Sequence, residues 1–109
     1  MSMGTGRGRT AAPATLQRRT KAAVFLKTLG SIPRLRLQVD AAPGYCEVTD
    51  PARAPGSRLC GETAERIVQY TNQRGHLLAV IHTCTRHAPR LRAMAATRPE
   101  TRATVHARP

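Results

Sequence analysis

Three cysteines and one histidine carry the clearest chemistry in this 109-residue chain: Cys46, Cys60, Cys84 and His87. Cys84 and His87 are separated by two residues, a spacing at which a tight turn aims two donors at one ion. Thiolate and imidazole are the donors that borderline-soft Zn²⁺ prefers, and three Cys plus one His complete a tetrahedron. Thirteen residues separate Cys46 from Cys60, where a usual knuckle has about two to four. His82 and His76 therefore stand as alternatives to Cys46 for the fourth position. Two other readings of the same residues stay open: thiols buried as small hydrophobes with His87 at the surface, or a disulfide. A nucleophilic Cys84–His87 pair lacks an evident orienting Asn or Asp, and the six acids form no acid/base pair, so the chain reads as a non-enzyme.

These donors need elements to position them. Residues 65–71 and 76–82 read as an antiparallel hairpin around Asn72-Gln73-Arg74-Gly75, with Ile67 and Val68 facing Leu77, Leu78, Val80 and Ile81. Cys60-Gly61 leads into this hairpin and Cys84 follows its return strand. A helix is expected to start near Ala88, with Pro89 in its first turn and Leu91, Met94 and Ala95 packing on the hairpin. Upstream, Thr15 is expected to cap a helix from Leu16 to Leu29, stopped by Gly30, with Ala22, Phe25, Leu26 and Leu29 on one face. Arg34 to Val39 alternates with period two and predicts a strand with Leu35, Leu37 and Val39 inward. Asp50 to Leu59, with two prolines and a glycine, predicts a loop.

Cys60-Gly61-Glu62-Thr63-Ala64, a hairpin, and Cys84-Thr85-Arg86-His87-Ala88-Pro89 together resemble the small zinc-ribbon or treble-clef-like modules of many high-GC bacterial proteins. The resemblance covers residues 44–96. It implies a structural Zn²⁺ held by a Cys pair before the hairpin and a Cys-x-x-His turn opening the next helix.

Composition bounds the rest. Leu, Ile, Val and Phe number 19, too few for a sizeable core, and a metal staple supplies folding free energy to a weakly cored domain. Lys and Arg total 18 against 6 Asp and Glu, a net charge of +12, and 16 of the cations are Arg. Five of the acids lie between Asp40 and Glu65, so both ends are basic. Such a charge attracts polyanions and releases counterions on binding. Arg7, Arg9, Arg18, Arg19, Lys21 and Lys27 form an N-terminal cationic arm, and Arg86, Arg90 and Arg92 crowd the start of the C-terminal helix. With only Phe25, Tyr45 and Tyr70 as aromatics, a base-stacking platform is poorly supplied, so contact with DNA or structured RNA would run through phosphates.

The expected fold is α+β: a zinc-stapled antiparallel hairpin or sheet with a basic N-terminal helix, a short C-terminal helix and disordered ends. The expected segments are a disordered tail over 1–14, the basic helix over 15–30, the zinc module over 34–96 and a second disordered tail over 97–109. No apolar run approaches the roughly 18 residues of a membrane span, and unpaired cysteines without a secretory signal point to the cytoplasm. The function expected is a small zinc-binding protein that contacts nucleic-acid backbones. The alternative is an interaction adaptor whose N-terminal helix docks through Phe25 and Leu26.

Overall fold

A computed structural model describes residues 12–29, 35–49 and 60–109. The expected loop at 50–59, and Arg7 and Arg9 of the cationic arm, lie outside the described residues. The first helix, α1, spans Pro13–Leu29. It begins ahead of the expected Thr15 cap, because Pro13 needs no amide partner in the first turn and the Ala12 carbonyl accepts the Leu16 N–H at 3.0 Å. Arg19, Ala22, Leu26 and Leu29 line its buried face at helical spacing.

Strands β1 (Arg36–Leu37) and β2 (Val48–Thr49) pair antiparallel. Of the expected strand over 34–39, the described residues pair only at Arg36–Leu37, because the chain turns soon after: Ala41 N–H bonds the Gln38 carbonyl at 3.1 Å. Leu35 is nonetheless buried and Leu37 and Val39 half-buried, as the alternation requires.

The main sheet holds β3 (Arg66–Asn72), β4 (Leu77–Thr83) and β5 (Thr101–Ala107) in the order β4–β3–β5, all antiparallel. The β3–β4 hairpin is as expected, with Val68 opposite Ile81 and Gln69 opposite Val80. Asn72 shapes its turn by accepting the N–H groups of Arg74 and His76 through Oδ1, both at 2.9 Å. Gly75 takes the left-handed φ of 83° there, a conformation that costs a side-chain-bearing residue about 1–2 kcal/mol.

Residues 97–109 do not form the expected disordered tail: β5 pairs along the full length of β3. Thr101, Ala103 and Val105 alternate with Arg102, Thr104 and His106, a period-two pattern whose inward members are too small to stand out in hydropathy. Pairing with β3, rather than burial of large side chains, holds the segment.

The short helix α2 spans Ala88–Met94 and, with α1, covers one face of this sheet. Leu91 and Met94 on it, and Ala95 at its C-cap, are buried as expected. Tyr70, fully buried, donates its hydroxyl to the Leu91 carbonyl at 2.6 Å and lies 5.2 Å from Phe25 between ring centroids. One aromatic side chain thus joins both helices to the central strand. Among the described residues, no helix is long and apolar enough to cross a membrane.

Candidate metal centre

Cys46, Cys60, Cys84 and His87 come together, with their donor atoms all within 4.8 Å of one another. They arrive by three different devices. Cys84 and His87 sit on one helical turn that leads into α2, where the Ala88 N–H bonds the Cys84 carbonyl at 3.2 Å. Residues three apart on such a turn share a face. Cys60 precedes Gly61, which takes a left-handed φ of 74° just before the segment that leads into β3.

Cys46 is brought in by tertiary pairing. An isolated bridge joins Tyr45 to Thr63, Cys46 N–H bonds the Glu62 carbonyl at 2.7 Å, and Ala64 N–H bonds the Gly44 carbonyl at 2.9 Å. The Cys46 and Cys60 segments therefore run side by side, and their 13-residue separation in sequence is no obstacle. The alternatives fall away from the cluster: His82 Nδ1 accepts a bond from Arg108 Nε at 3.2 Å, and His76 is exposed in the hairpin turn.

The distances suit a four-coordinate ion. Cys60 Sγ lies 3.7 Å from Cys84 Sγ, while His87 Nδ1 lies 3.3 Å from Cys84 Sγ and 3.5 Å from Cys46 Sγ. A tetrahedral centre with metal–sulfur bonds of about 2.3 Å and metal–nitrogen bonds of about 2.0–2.1 Å has S···S edges of about 3.8 Å and S···N edges of about 3.6 Å. A disulfide needs sulfurs about 2.05 Å apart, and all three cysteines are free thiols.

Burial and hydrogen bonding divide the donors. Cys46, Cys84 and His87 are buried and Cys60 is half-exposed. Burial pushes the Cys46 thiol up to about 11. At Cys84 burial acts in the same direction, but hydrogen bonds from the His87 backbone, the Cys60 thiol and the Arg86 backbone outweigh it and hold the thiol below its ordinary value. Outside the cluster, Arg86 Nη2 points at Cys60 Sγ from 3.6 Å. A bound cation would supply the countercharge that buried thiolates require.

Directly beside Cys46, the Glu47 carboxylate is buried and bound four times. Arg18 Nη1 and Nη2 donate to its two oxygens at 3.0 and 2.6 Å, Arg19 Nε at 2.7 Å and the His82 N–H at 3.0 Å. Arg19 further donates to the Val39 and Ala41 carbonyls, and Arg18 to that of Val80. Burial alone would raise the Glu47 carboxyl, but the Arg18 guanidinium and these further donors hold it below the usual carboxylate range. Arg18 and Arg19 thus leave the expected phosphate-binding set: a guanidinium already bonded to a buried carboxylate is not offered to an external anion. The sequence signal was one acid adjacent to a candidate ligand in an acid-poor chain, and sequence alone did not reveal its partners.

The remaining expected phosphate contacts lie outward. Lys21, Lys27, Arg86 and Arg92 are exposed and Arg90 is half-exposed. The helix face expected to dock on a partner is used internally, since Leu26 is buried and Phe25 packs on the core.

No known protein family matches the chain, and no curated protein or solved structure is significantly similar to it.

Proposed function

We propose that the chain is a zinc-stapled, basic nucleic-acid-binding module, related in design to small zinc ribbons and working in a reducing, cytoplasmic setting. The single observation that carries the reading is the Cys46, Cys60, Cys84 and His87 cluster, whose donor atoms lie within 4.8 Å of one another with three of their separations near tetrahedral edges. Three thiolates and one imidazole favour Zn²⁺ over hard cations, which take oxygen ligands. Three of the four donors are buried, which suits a closed structural site rather than a catalytic one with an open position. In such a site the ion would bind the segments 44–47, 60–64 and 84–87 to one another and so replace part of the missing apolar core.

The nucleic-acid reading rests on the cations left over. Glu47 engages Arg18 and Arg19, and Glu100 lies 3.7 Å from Arg98. Among the described residues Lys21, Lys27, Arg90 and Arg92 form no ion pair with an acid, so their charge is available to phosphates, whereas Arg86 already donates to the Cys60 sulfur. No aromatic platform accompanies them, which favours backbone contact over base readout.

Two measurements test the reading separately. Native mass spectrometry of the purified chain should find one zinc ion per chain that a strong chelator removes, and a metal-free, cooperatively folded chain would end the zinc assignment. Binding to a duplex oligonucleotide should weaken steeply with salt, and affinity that is absent or salt-independent would end the nucleic-acid assignment.

A further inference from the structure

The two outer edges of the main sheet are treated differently. Along β4, Glu47 and Arg18 occupy the outer edge: Glu47 N–H bonds the His82 carbonyl at 3.0 Å, its carboxylate accepts the His82 N–H, and Arg18 bonds the Val80 carbonyl. Along β5, one edge pairs with β3 and no strand among the described residues pairs with the other. An open edge presents alternate N–H and C=O groups and is a template for another strand, which folded proteins ordinarily cover or blunt. Beside it, between β5 and α2, runs a groove of about 820 Å³.

The floor of the groove is apolar and small-chained, formed by Ala88, Ala93, Ala96, Ala103 and Val105. Arg66 and Arg92 stand around it, Arg98 beside them already pairs with Glu100 and donates to the Thr28 and Leu29 carbonyls, and Arg102 projects from β5 on the opposite sheet face, exposed. Arg92 is exposed and has no acid partner among the described residues. Thr101, Ala103 and Val105 face the groove along β5, so a strand laid beside them would also direct every second side chain into it.

We propose that the β5 edge and the adjoining groove form a docking site for an extended acidic peptide segment of a partner protein, bound by strand addition. The backbone edge would supply hydrogen bonds, the alanine–valine floor would take small apolar side chains, and the arginines would attract the acidic ones. Charge selects this occupant. A second copy of a chain carrying +12 would bring its own Arg66, Arg92 and Arg102 to the same edge, like charge against like. A nucleic-acid strand would leave the apolar floor uncovered and finds no aromatic side chain in the groove on which to stack. The inference goes beyond the zinc and nucleic-acid readings and depends on neither.

The test uses the full chain as purified and a synthetic peptide alternating glutamate and valine over the length of β5. Titration followed by backbone amide NMR should shift Thr101–Ala107 and α2. Arg92→Glu and Ala93→Glu, both at exposed positions, should weaken binding by roughly tenfold or more while leaving the unbound spectrum folded. N-methylation of alternate peptide amides should abolish binding, because it removes the strand-pairing donors without altering charge. Absence of binding would overturn the proposal. So would equal affinity of the N-methylated peptide, which would mean charge attraction without strand pairing. Shifts confined to α1, preferential displacement by an oligonucleotide at β5, or a concentration-dependent dimer through β5 in the free chain would each overturn it too.

Discussion

Arg19 Nε and Glu47 Oε2 lie 2.7 Å apart with both side chains almost wholly buried, and Glu47 is the residue next to the metal-cluster member Cys46. The pair therefore joins α1 to the candidate metal centre through a single peptide unit. A buried pair is weak evidence of net stabilisation, but removing one member leaves an uncompensated charge in the interior.

Glu47→Gln is accordingly expected to destabilise the chain by about 3–5 kcal/mol, measured by urea denaturation at neutral pH. Because the native carboxyl is held below its ordinary 4.5, its stabilising contribution is complete above that pH and is lost as pH falls through the native value. The gap between the native chain and Glu47→Gln should narrow on acidification below about pH 4.5. Protonation of thiolates and imidazole affects both proteins and cancels in the comparison.

The four donors are predicted to differ in what their loss does. Cys84→Ala removes a buried donor within the core and should abolish tight zinc binding while unfolding the hairpin region. Cys60→Ser changes the half-exposed donor and should weaken metal affinity while circular dichroism with excess zinc still reports the native fold. Zinc stoichiometry by native mass spectrometry, paired with thermal denaturation, separates the two outcomes.

Tyr70→Phe is expected to cost about 1–3 kcal/mol, since the Leu91 carbonyl loses its buried donor. Burial pushes the Tyr70 phenol well above its ordinary value of 10.0. A raised acid stabilises the fold fully below the unfolded value and progressively less as pH rises toward the native one. The native chain should thus lose stability above about pH 10, and Tyr70→Phe should lose less, as read from denaturation midpoints.

Inward and outward cations should behave oppositely. Arg18→Gln with Arg19→Gln should destabilise the fold, because both side chains bind Glu47. Lys21→Gln with Lys27→Gln, at exposed positions, should leave the melting curve unchanged. In oligonucleotide binding, this second pair should flatten the slope of log affinity against log salt by about 0.9 for each phosphate no longer neutralised. Unchanged salt dependence would remove α1 from the nucleic-acid surface.

The main hairpin, the start of α2 at Ala88 and the buried stripe of α1 were legible in the chain because each is local. Asn72 to Gly75 specifies a turn, Pro89 suits a first helical turn, and Ala22, Leu26 and Leu29 repeat at helical spacing. The Cys84–His87 pair was legible for the same reason. What the tertiary structure alone decided lies between segments distant in sequence. Cys46 joins the cluster because a bridge lays Tyr45 against Thr63, and no spacing rule spans that closure. Arg18 and Arg19 turn inward because one carboxylate, 28 residues beyond Arg19, is buried beside them; a charge read along the chain has no direction until its partner is placed. The strand β5 is held by pairing with β3, between residues 29 to 41 positions apart, and backbone hydrogen bonding over such separations leaves little mark on side-chain hydropathy. Periodicity and turn chemistry are written in neighbouring residues, whereas register, burial and charge pairing arise only when separate segments share the same space.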